Sequence, residues 1–359
     1  MEKKVCIVGG GSWGTAIAKL IGENVQKLKE YNNDVTLWIF EEKVGERNLS
    51  EIINTEHQNV KYMPDVLLPA NVMAVTCLKE AVVDADVLVF VVPHEFLETT
   101  IEPIIGATKA GAVGVTLIKG AFFAEDKITL ISDMLGTKLG LQMAVLMGAN
   151  IAKDVAKGTL SECTLGCTNE VVGQELVPLF DSHYFRVNFT KECGPIELCG
   201  VLKNVVAMGC GIVTGHGYGP NTVAAVIRKG FLEMIRFCDM FSNKTSTEES
   251  VSRVFLESCG IADLIVTCTS GRNFRFSELA VKNNVSLEEI EKTEMNGQKL
   301  QGYSTSVELK TFLEKTQTTS DFTLLYGICM APGNDNSPRT IVSAISPKLA
   351  TDKANGEDL

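Results

Sequence analysis

The chain has 359 residues and a mass of 38.9 kDa, with 45% hydrophobic and 21% charged residues, a composition typical of a globular protein of about two domains. Its 33 Lys and Arg against 44 Asp and Glu give a formal net charge of −11. This charge excludes a general nucleic-acid or anionic-membrane partner, because both need a basic surface. Any anionic ligand has to be held by a few local cations.

The 11 cysteines predict a reduced protein rather than a disulfide framework. They form no Cys-x-x-Cys pair, and several lie inside apolar runs, where a thiol behaves as a small hydrophobe. The four histidines are widely separated and do not have the spacing of a metal site. A first strand beginning by Lys4 leaves no room for a signal peptide, and no apolar run approaches the ~20 residues of a membrane span. We therefore expect a cytoplasmic protein without a membrane partner.

Up to about residue 189, short β-branched apolar runs alternate with helical stretches, which predicts a parallel sheet with crossover helices. This is an α/β, Rossmann-like domain. Several runs are apolar almost throughout, so we expect central strands that are covered on both faces. The predicted strands are 4–8, 35–39, 72–75, 87–92, 112–118 and 143–147.

From residue 190 to residue 359 the strand-like runs give way to helical patterns, and we predict an all-helical second domain after a first domain of residues 1–189. Residues 337–359 are polar enough to form a loosely held tail. The signals for helix N-termini are Pro195 and Pro220 in first turns, and two capping boxes, Ser286 with Glu289 and Thr305 with Glu308.

The first predicted strand enters a glycine-rich turn, VCIVGGGSWGTA, that is followed by an apolar helix start. Gly9 suits a tight turn, Gly11 lets the backbone approach a pyrophosphate, and Gly14 lets the helix pack closely on the strand. Such a turn also occurs for purely structural reasons. The strand before it and the helix after it favour dinucleotide binding.

The second strand ends in Phe40-Glu41, where an acid is expected to bind the ribose hydroxyls of a dinucleotide. Glu41 lies 27 positions after Gly14, more than the usual ~20, so the first helix or its following loop must be extended. No arginine stands at this strand end, and Arg47 is the nearest. A carboxylate repels a 2′-phosphate, so we predict NAD rather than NADP as the cofactor.

Three later strands also carry polar or aromatic residues at their carboxyl ends, the edge of an α/β sheet that binds ligands. Lys119 directly follows an apolar strand in an acidic protein, which favours a contact to substrate or cofactor over a solvated position. His94 fits a plain loop residue equally well. The other residues at these ends are Pro93, Phe96 and Gly148-Ala149-Asn150.

In the second half, the run CGVLKNVVAMGCGIVTG is apolar nearly all round and predicts a buried helix. It carries Lys203 and Asn204 in its middle, and a buried lysine is costly unless it is paired. Lys203 either extends its ammonium to water or is a catalytic cation. The predicted counter-ion is Asp263, which lies in an apolar segment and is followed by Thr267.

Gly271-Arg272-Asn273 follows this acidic segment. The glycine permits a turn that presents a guanidinium and an amide together, a pair that suits a phosphate or a carboxylate. Arg272 also fits a solvated surface arginine.

Taken together, the segments GGGSWGTA, WIFEE, VVPHEF, LIKG, MGAN, GPIELCGVLKNVVA, GIADLIVTC, GRN and NGQKLQG resemble the soluble, eukaryotic-type NAD-dependent glycerol-3-phosphate dehydrogenases. The resemblance extends from Lys4 to about Gly302. It implies a Rossmann domain, an all-helical substrate domain and a homodimer. The implied reaction interconverts sn-glycerol 3-phosphate and dihydroxyacetone phosphate, both small molecules.

The same resemblance assigns roles to single residues. It implies that Lys203 is the catalytic residue, and that Arg272 and Asn273 bind the substrate phosphate. The residues that would support Lys203 are Lys119, Asn204, Asp263 and Thr267. The cofactor contacts would be Gly9, Gly11, Ser12, Trp13, Gly14, Phe40, Phe96, Lys119, Asn150, Ala152, Arg272, Lys299 and Gln301.

Two alternatives remain open at this point. The β-hydroxyacid dehydrogenases also join a Rossmann domain to helices that bear an active-site lysine. A non-catalytic protein that senses NAD would keep the fold without needing Lys203 or Asp263.

Overall fold

The computed structural model describes residues 2–124, 126–242, 248–295, 299–332 and 336–346. Two compact units are formed by the chain. The first contains the residues up to Lys119 together with Leu130–Ile196, and the second contains Gly120–Thr129 and the residues from Glu197 on. The second unit therefore includes a short hairpin that lies, in chain order, within the first half of the sequence.

Each of the six predicted strands is present, with ends that shift by a few residues. In chain order the strands are β1 (Lys3–Val8), β2 (Tyr31–Trp38), β3 (Lys43–Val44), β4 (Arg47–Asn48), β5 (Val72–Val75), β6 (Val87–Phe90), β7 (Val113–Thr116), β8 (Ala121–Ala124), β9 (Lys127–Leu130), β10 (Gln142–Met147), β11 (Ser161–Gly166) and β12 (Phe185–Thr190).

An eight-stranded sheet forms the centre of the first unit, in the order β12-β11-β10-β7-β6-β1-β2-β5. The strands from β10 to β5 run parallel, whereas β11 is antiparallel to β10 and parallel to β12. The order reverses direction at β1 and β6, as in a Rossmann fold, which confirms the predicted fold class. The carboxyl ends of the parallel strands consequently meet at one edge of the sheet.

The helices of the first unit cover this sheet, and those of the second unit pack on one another. In chain order they are α1 (Ser12–Val25), α2 (Leu49–Glu56), α3 (Leu78–Val82), α4 (Leu97–Ile101), α5 (Ile131–Leu139), α6 (Ala152–Ala156), α7 (Glu170–Phe180), α8 (Gly194–Gly215), α9 (Pro220–Phe241), α10 (Glu248–Phe255), α11 (Asp263–Ser270), α12 (Arg272–Asn283), α13 (Leu287–Thr293), α14 (Gln301–Lys315), α15 (Thr323–Met330) and α16 (Arg339–Ile345), with 3₁₀ turns at His94–Phe96 and Glu102–Ile104 and a π-turn at Ser258–Ala262.

Two local predictions need correction. Thr305 is not a helix cap, because α14 already begins at Gln301, four residues earlier. The extra length before Glu41 lies partly in β2 rather than in α1 or its loop: Lys3 pairs with Tyr31 and Val5 with Val35, so the second strand contains a bulge. By contrast, Ser286 caps α13 as predicted, since its hydroxyl accepts the Glu289 N–H at 3.2 Å.

Among the described helices, α8 alone is long and apolar enough to cross a membrane by length and composition. The whole of its most apolar window is buried inside the fold, which is the behaviour of a core helix. This agrees with the prediction of a buried helix around Lys203. The prediction that no apolar run approaches ~20 residues is wrong, because α8 is 22 residues long and apolar enough to pass that test.

The cysteines are reduced, as predicted. All 11 are free, and only Cys77 is exposed. Burial raises the pKa of the Cys6 thiol to about 12, so this side chain behaves as a core hydrophobe.

Candidate active site

The glycine-rich segment is a strand-to-helix turn, as predicted. Gly9 has a φ of 124°, a conformation that favours glycine. A Cβ on Gly14 would lie 1.8 Å from the Gly9 carbonyl oxygen, so α1 packs on the loop only because residue 14 has no side chain. Gly11 is the N-cap of α1, and a Cβ there would meet no atom within 4 Å. The loop therefore presents an open helix N-terminus, which fits the pyrophosphate of a dinucleotide.

The two side chains between Gly11 and Gly14 are engaged within the first unit. The Ser12 hydroxyl donates to the Tyr62 carbonyl oxygen at 2.9 Å. The Trp13 ring lies 6.3 Å from the Phe185 ring, centroid to centroid. We therefore expect a phosphate to meet the backbone N–H groups of Ser12 and Trp13 rather than their side chains.

Two exposed aromatic side chains follow strands that end at the ligand-binding edge of the sheet. Phe40 follows β2 and is 74% exposed, and Phe96 follows β6 and is 58% exposed. Such large apolar side chains are normally buried. Their exposure at this edge fits the flat rings of a dinucleotide, and both residues stay predicted cofactor contacts.

The acid at the end of β2 has a partner of its own. The Glu41 carboxylate accepts hydrogen bonds from the Ser50 N–H, at 3.2 Å, and from the Ser50 hydroxyl. Arg47 pairs with Glu51 and Glu56. The arginine nearest to this strand end is therefore neutralised, which removes a cation that a 2′-phosphate would need.

Lys119 lies at the end of β7 and reaches the neighbouring strand end. Its ammonium donates to the Gly148 carbonyl oxygen, which follows β10, at 3.3 Å. Asn150 donates to the Glu162 carbonyl oxygen at 2.8 Å, and Ala152 begins α6. Burial lowers the pKa of the nearby His94 imidazole, which favours its neutral form.

In the second unit, Lys203 is buried and paired rather than extended to water. Its side chain is 5% exposed, and its ammonium nitrogen lies 2.6 Å from Asp263 Oδ1 and 2.6 Å from Thr267 Oγ1. Asp263 and Thr267 are four residues apart on α11, so they share one helix face. The Thr267 hydroxyl donates to the Asp263 carbonyl oxygen at 2.6 Å. The predicted counter-ion is thus confirmed.

This pair carries an energetic cost. Taking a carboxylate and an ammonium out of water costs several kcal/mol per ion, and replacing a buried pair by apolar residues is often neutral or stabilising. Stability alone therefore does not explain why the helix contains Lys203. A buried, hydrogen-bonded ammonium is instead well suited to donate a proton to a bound oxygen.

Next to Lys203, Asn204 begins a chain of amide hydrogen bonds. The Asn273 amide donates to Asn204 Oδ1 at 2.9 Å, and Asn273 Oδ1 accepts the Gly302 N–H at 2.9 Å. A Cβ on Gly302 would lie 2.5 Å from the Asn204 carbonyl oxygen. The N-terminal turns of α12 and α14 are therefore anchored beside α8.

Arg272 and Asn273, the predicted phosphate pair, are the first two residues of α12. They are consecutive at the start of α12, so their side chains diverge: Arg272 is exposed, whereas Asn273 is 8% exposed and bound to Asn204 and Gly302. Gly271 is required here because a Cβ would lie 2.5 Å from the Thr267 carbonyl oxygen. A phosphate at this position would meet the Arg272 guanidinium and the helix N-terminus, and Asn273 stays a predicted contact.

Lys299 and Gln301 flank the start of α14, and residues 296–298 of the NGQKLQG segment lie outside the described residues. Sequence reasoning missed the residue that fixes this segment. The buried Glu291 carboxylate accepts the Leu300 N–H and the Lys299 ammonium, each at 2.8 Å. Glu291 follows Leu287 by four residues on α13, so the two share a helix face. An acid on an apolar helix face is the sequence pattern that could have identified Glu291.

Comparison with known proteins gives one consistent family. The model of the NAD-dependent glycerol-3-phosphate dehydrogenase N-terminus matches residues 4–172, and that of the C-terminus matches residues 194–343. Cytoplasmic glycerol-3-phosphate dehydrogenase [NAD(+)] of Mus musculus is 46% identical over 330 residues, 91% of this chain and 93% of the relative. Glycerol-3-phosphate dehydrogenase 1-like protein of Danio rerio is 47% identical over 329 residues, 91% and 93%.

The fold gives the same result. The solved glycerol-3-phosphate dehydrogenase of Plasmodium falciparum superposes with a TM-score of 0.89 and 31% sequence identity, over 96% of this chain and 95% of that one.

Proposed function

The chain belongs to the NAD-dependent glycerol-3-phosphate dehydrogenases, and we propose that Lys203 exchanges the proton while this enzyme interconverts sn-glycerol 3-phosphate and dihydroxyacetone phosphate. NAD is the cofactor, as the sequence predicted, and the relatives named cytoplasmic support the expected compartment. The observation that carries the proposal is the buried Lys203 ammonium, held at 2.6 Å by both Asp263 and Thr267.

In the reducing direction the carbonyl oxygen of dihydroxyacetone phosphate becomes negatively charged. Bound NADH supplies the hydride that the carbonyl carbon accepts. The Lys203 ammonium stabilises the charge on the oxygen and donates a proton to it, and in the oxidising direction the neutral amine takes the proton from the alcohol. Asp263 and Thr267 fix the position of the Lys203 ammonium nitrogen. Lys119 of the first unit stays a predicted second cation for this oxygen.

The substrate phosphate is assigned to the start of α12. Arg272 is the first residue of this 12-residue helix, and its N-cap Gly271 has no side chain that would occupy the N-terminus. An exposed guanidinium at a helix N-terminus suits the binding of a phosphate dianion. Asn273 and Asn204 then act by holding α12 and α8 together. Phosphate binding far from the carbonyl orients the reacting end.

The cofactor is assigned to the glycine loop and the exposed aromatic residues. Gly9, Gly11 and Gly14 shape the loop, the backbone of Ser12 and Trp13 meets the pyrophosphate, and Phe40 and Phe96 flank the cofactor. The remaining predicted contacts are Lys119, Asn150, Ala152, Arg272, Lys299 and Gln301.

We assign cofactor binding to residues 1–189, and substrate binding and dimerisation to residues 190–359. The homodimer is tested by sedimentation equilibrium. A protein of twice the 38.9 kDa chain mass supports it, and a monomer at micromolar concentration contradicts it.

The reaction is tested by following NADH oxidation with dihydroxyacetone phosphate, with unphosphorylated dihydroxyacetone as the matched control. The proposal expects fast turnover of the phosphorylated ketone and a loss of kcat/KM of at least ~10²-fold for the unphosphorylated one, because charge-assisted phosphate contacts are lost. Equal rates with both ketones would contradict the phosphate site. Turnover of a 3-hydroxy acid instead would indicate a β-hydroxyacid dehydrogenase.

A further inference from the structure

We infer that Asn59 is a positioning residue for the cofactor: its buried amide holds the Gly10 carbonyl group and thereby sets the direction of the backbone N–H groups in the glycine loop. Asn59 lies between α2 and β5, far from the glycine loop in sequence. The inference rests on the proposed function, because it takes this loop as the NAD site.

Asn59 is fully buried, and both ends of its amide are used. Nδ2 lies 2.8 Å from the Gly10 carbonyl oxygen and 2.8 Å from Thr15 Oγ1. Oδ1 accepts the Tyr62 N–H at 3.2 Å. The Thr15 hydroxyl donates in turn to the same Gly10 oxygen, at 3.3 Å. One carbonyl group of the loop is thus fixed by two donors that also bind each other.

The direction of this carbonyl group determines where the next N–H points. In a planar trans peptide the C=O and N–H groups point in opposite directions. Because the Gly10 oxygen is held toward Asn59, the Gly11 N–H points away from Asn59. The Gly10 backbone is also closely packed against Ile39. A Cβ on Gly10 would lie 2.3 Å from Ile39 Cγ2, so this part of the loop has little room to move.

The segment around Asn59 is itself braced. Tyr62 accepts the Ser12 hydroxyl through its carbonyl oxygen, and its own hydroxyl donates to Glu42 at 2.7 Å. Burial and the neighbouring Glu42 carboxylate raise the pKa of Tyr62 to about 12, so the hydroxyl stays protonated. Lys61 also pairs with Glu42, at 2.6 Å. The loop is therefore connected to the residues after β2 without a bound ligand, and a preorganised site binds more tightly because less order is lost on binding.

The chain offers a matched control. Asn54 also uses its amide to brace a backbone, donating to the Ala74 carbonyl oxygen at 2.9 Å and accepting the Ala74 N–H at 2.7 Å. These bonds join α2 to β5 and do not include the glycine loop. Asn54 therefore braces a backbone segment with its amide, as Asn59 does, but it makes no contact with the glycine loop.

The test compares NADH binding, measured by the fluorescence of the bound cofactor, in Asn59→Asp, Asn54→Asp and the wild type. Asn59→Asp keeps the shape and the acceptor but removes both N–H donors. We expect its Kd for NADH to rise about 10- to 100-fold, the range for leaving a buried acceptor unsatisfied, while kcat at saturating NADH changes much less. Asn54→Asp should lower the unfolding temperature and leave the Kd for NADH within twofold of wild type.

Because a buried carboxylate can prevent folding, Thr15→Val provides a second variant. It is isosteric and removes only the hydroxyl that binds Asn59 and Gly10, so its Kd for NADH should rise as well, by about 3- to 10-fold. Wild-type Kd values in Thr15→Val and in folded Asn59→Asp would overturn the inference and leave the proposed function intact. A wild-type protein that does not bind NADH would overturn both.

Discussion

The glycine loop of the first unit and the Lys203 centre of the second unit handle charge in opposite ways. The loop offers backbone N–H groups at the start of α1, and its supporting side chains, Asn59 and Thr15, are neutral. The Lys203 centre instead buries a full ion pair, with Lys203 and Asp263 each at most 5% exposed. We propose that both regions serve phosphorylated ligands, in a chain of net charge −11.

The difference separates binding from chemistry. Backbone dipoles attract a pyrophosphate without the desolvation cost of a buried ion, so changes in the loop should alter affinity. A buried ammonium carries that cost and supplies an exchangeable proton, so changes at Lys203 should alter turnover and stability.

Removing the counter-ion of Lys203 should be the most damaging change. Asp263→Ala leaves a buried ammonium without its carboxylate, and we expect the free energy of unfolding to fall by about 3–5 kcal/mol, with loss of turnover. Urea unfolding measures the first effect and NADH oxidation the second. The double variant Lys203→Met with Asp263→Leu should recover most of the stability but no turnover. An Asp263→Ala protein as stable as wild type would contradict a buried ion pair.

The glycine loop should respond differently at its two ends. Gly14→Ala forces a Cβ against the Gly9 carbonyl oxygen, so we expect a loss of about 1–3 kcal/mol of stability together with weaker NADH binding. Gly11→Ala meets no protein atom and should weaken NADH binding alone. Thermal unfolding and NADH titration of both variants separate the two effects. A destabilised Gly11→Ala would show that the loop is not open at this residue.

Changing Arg272 should act mainly on the binding of the substrate phosphate, with a smaller effect on the cofactor that it is also predicted to contact. Arg272→Ala should raise KM for dihydroxyacetone phosphate about 10- to 100-fold, because a charge-assisted contact to the phosphate is lost. Its unfolding temperature should stay the same, since the side chain is exposed. The control is Arg275→Ala, also exposed and on the same helix α12. An equal change in KM for both variants would indicate a general electrostatic effect of positive charge on α12 rather than a phosphate site at Arg272.

The smallest effect is expected away from both regions, at a shallow pocket beside α14 that Glu308 lines with Phe123 and Phe312. Glu308 is exposed as a whole, but partial desolvation of its carboxyl raises the pKa of this group, so its charged form destabilises the folded state slightly at any pH above that pKa. Glu308→Gln should therefore raise the unfolding temperature slightly at pH 7. The gain should vanish as the pH falls below ~4.3, the pKa of a glutamate in an unfolded chain, because the wild-type carboxyl is then neutral in both the folded and the unfolded state. Glu294→Gln, at a residue that does not line this pocket, is the control and should leave the unfolding temperature at pH 7 unchanged.

The sequence predicted the central strands because they are short, apolar and β-branched. It missed β11 and β12. The run SECTLG of β11 contains polar and small residues and therefore lacks the apolar pattern of a buried strand. The run FRVNFT of β12 alternates apolar with polar residues, which is the pattern of a strand with one buried and one exposed face. A search for period-two alternation would have found β12.

For the site, the charged residues were predictable and their supports were not. A lysine in an apolar helix and an acid in an apolar segment each violate the usual pattern, so Lys203 and Asp263 stand out. Asn59 is an ordinary loop asparagine in the sequence, and its role depends on a contact 49 residues away along the chain. The different burial of Arg272 and Asn273 likewise depends on where α12 begins.

The central claim is that Lys203 performs the proton transfer and the glycine loop binds the cofactor independently. It is tested most directly by measuring kcat and the Kd for NADH in Lys203→Ala. The account predicts a loss of kcat of about 10²- to 10⁴-fold, the usual contribution of a positioned acid or base, with a Kd for NADH within twofold of wild type. Near-normal turnover by Lys203→Ala would contradict the account.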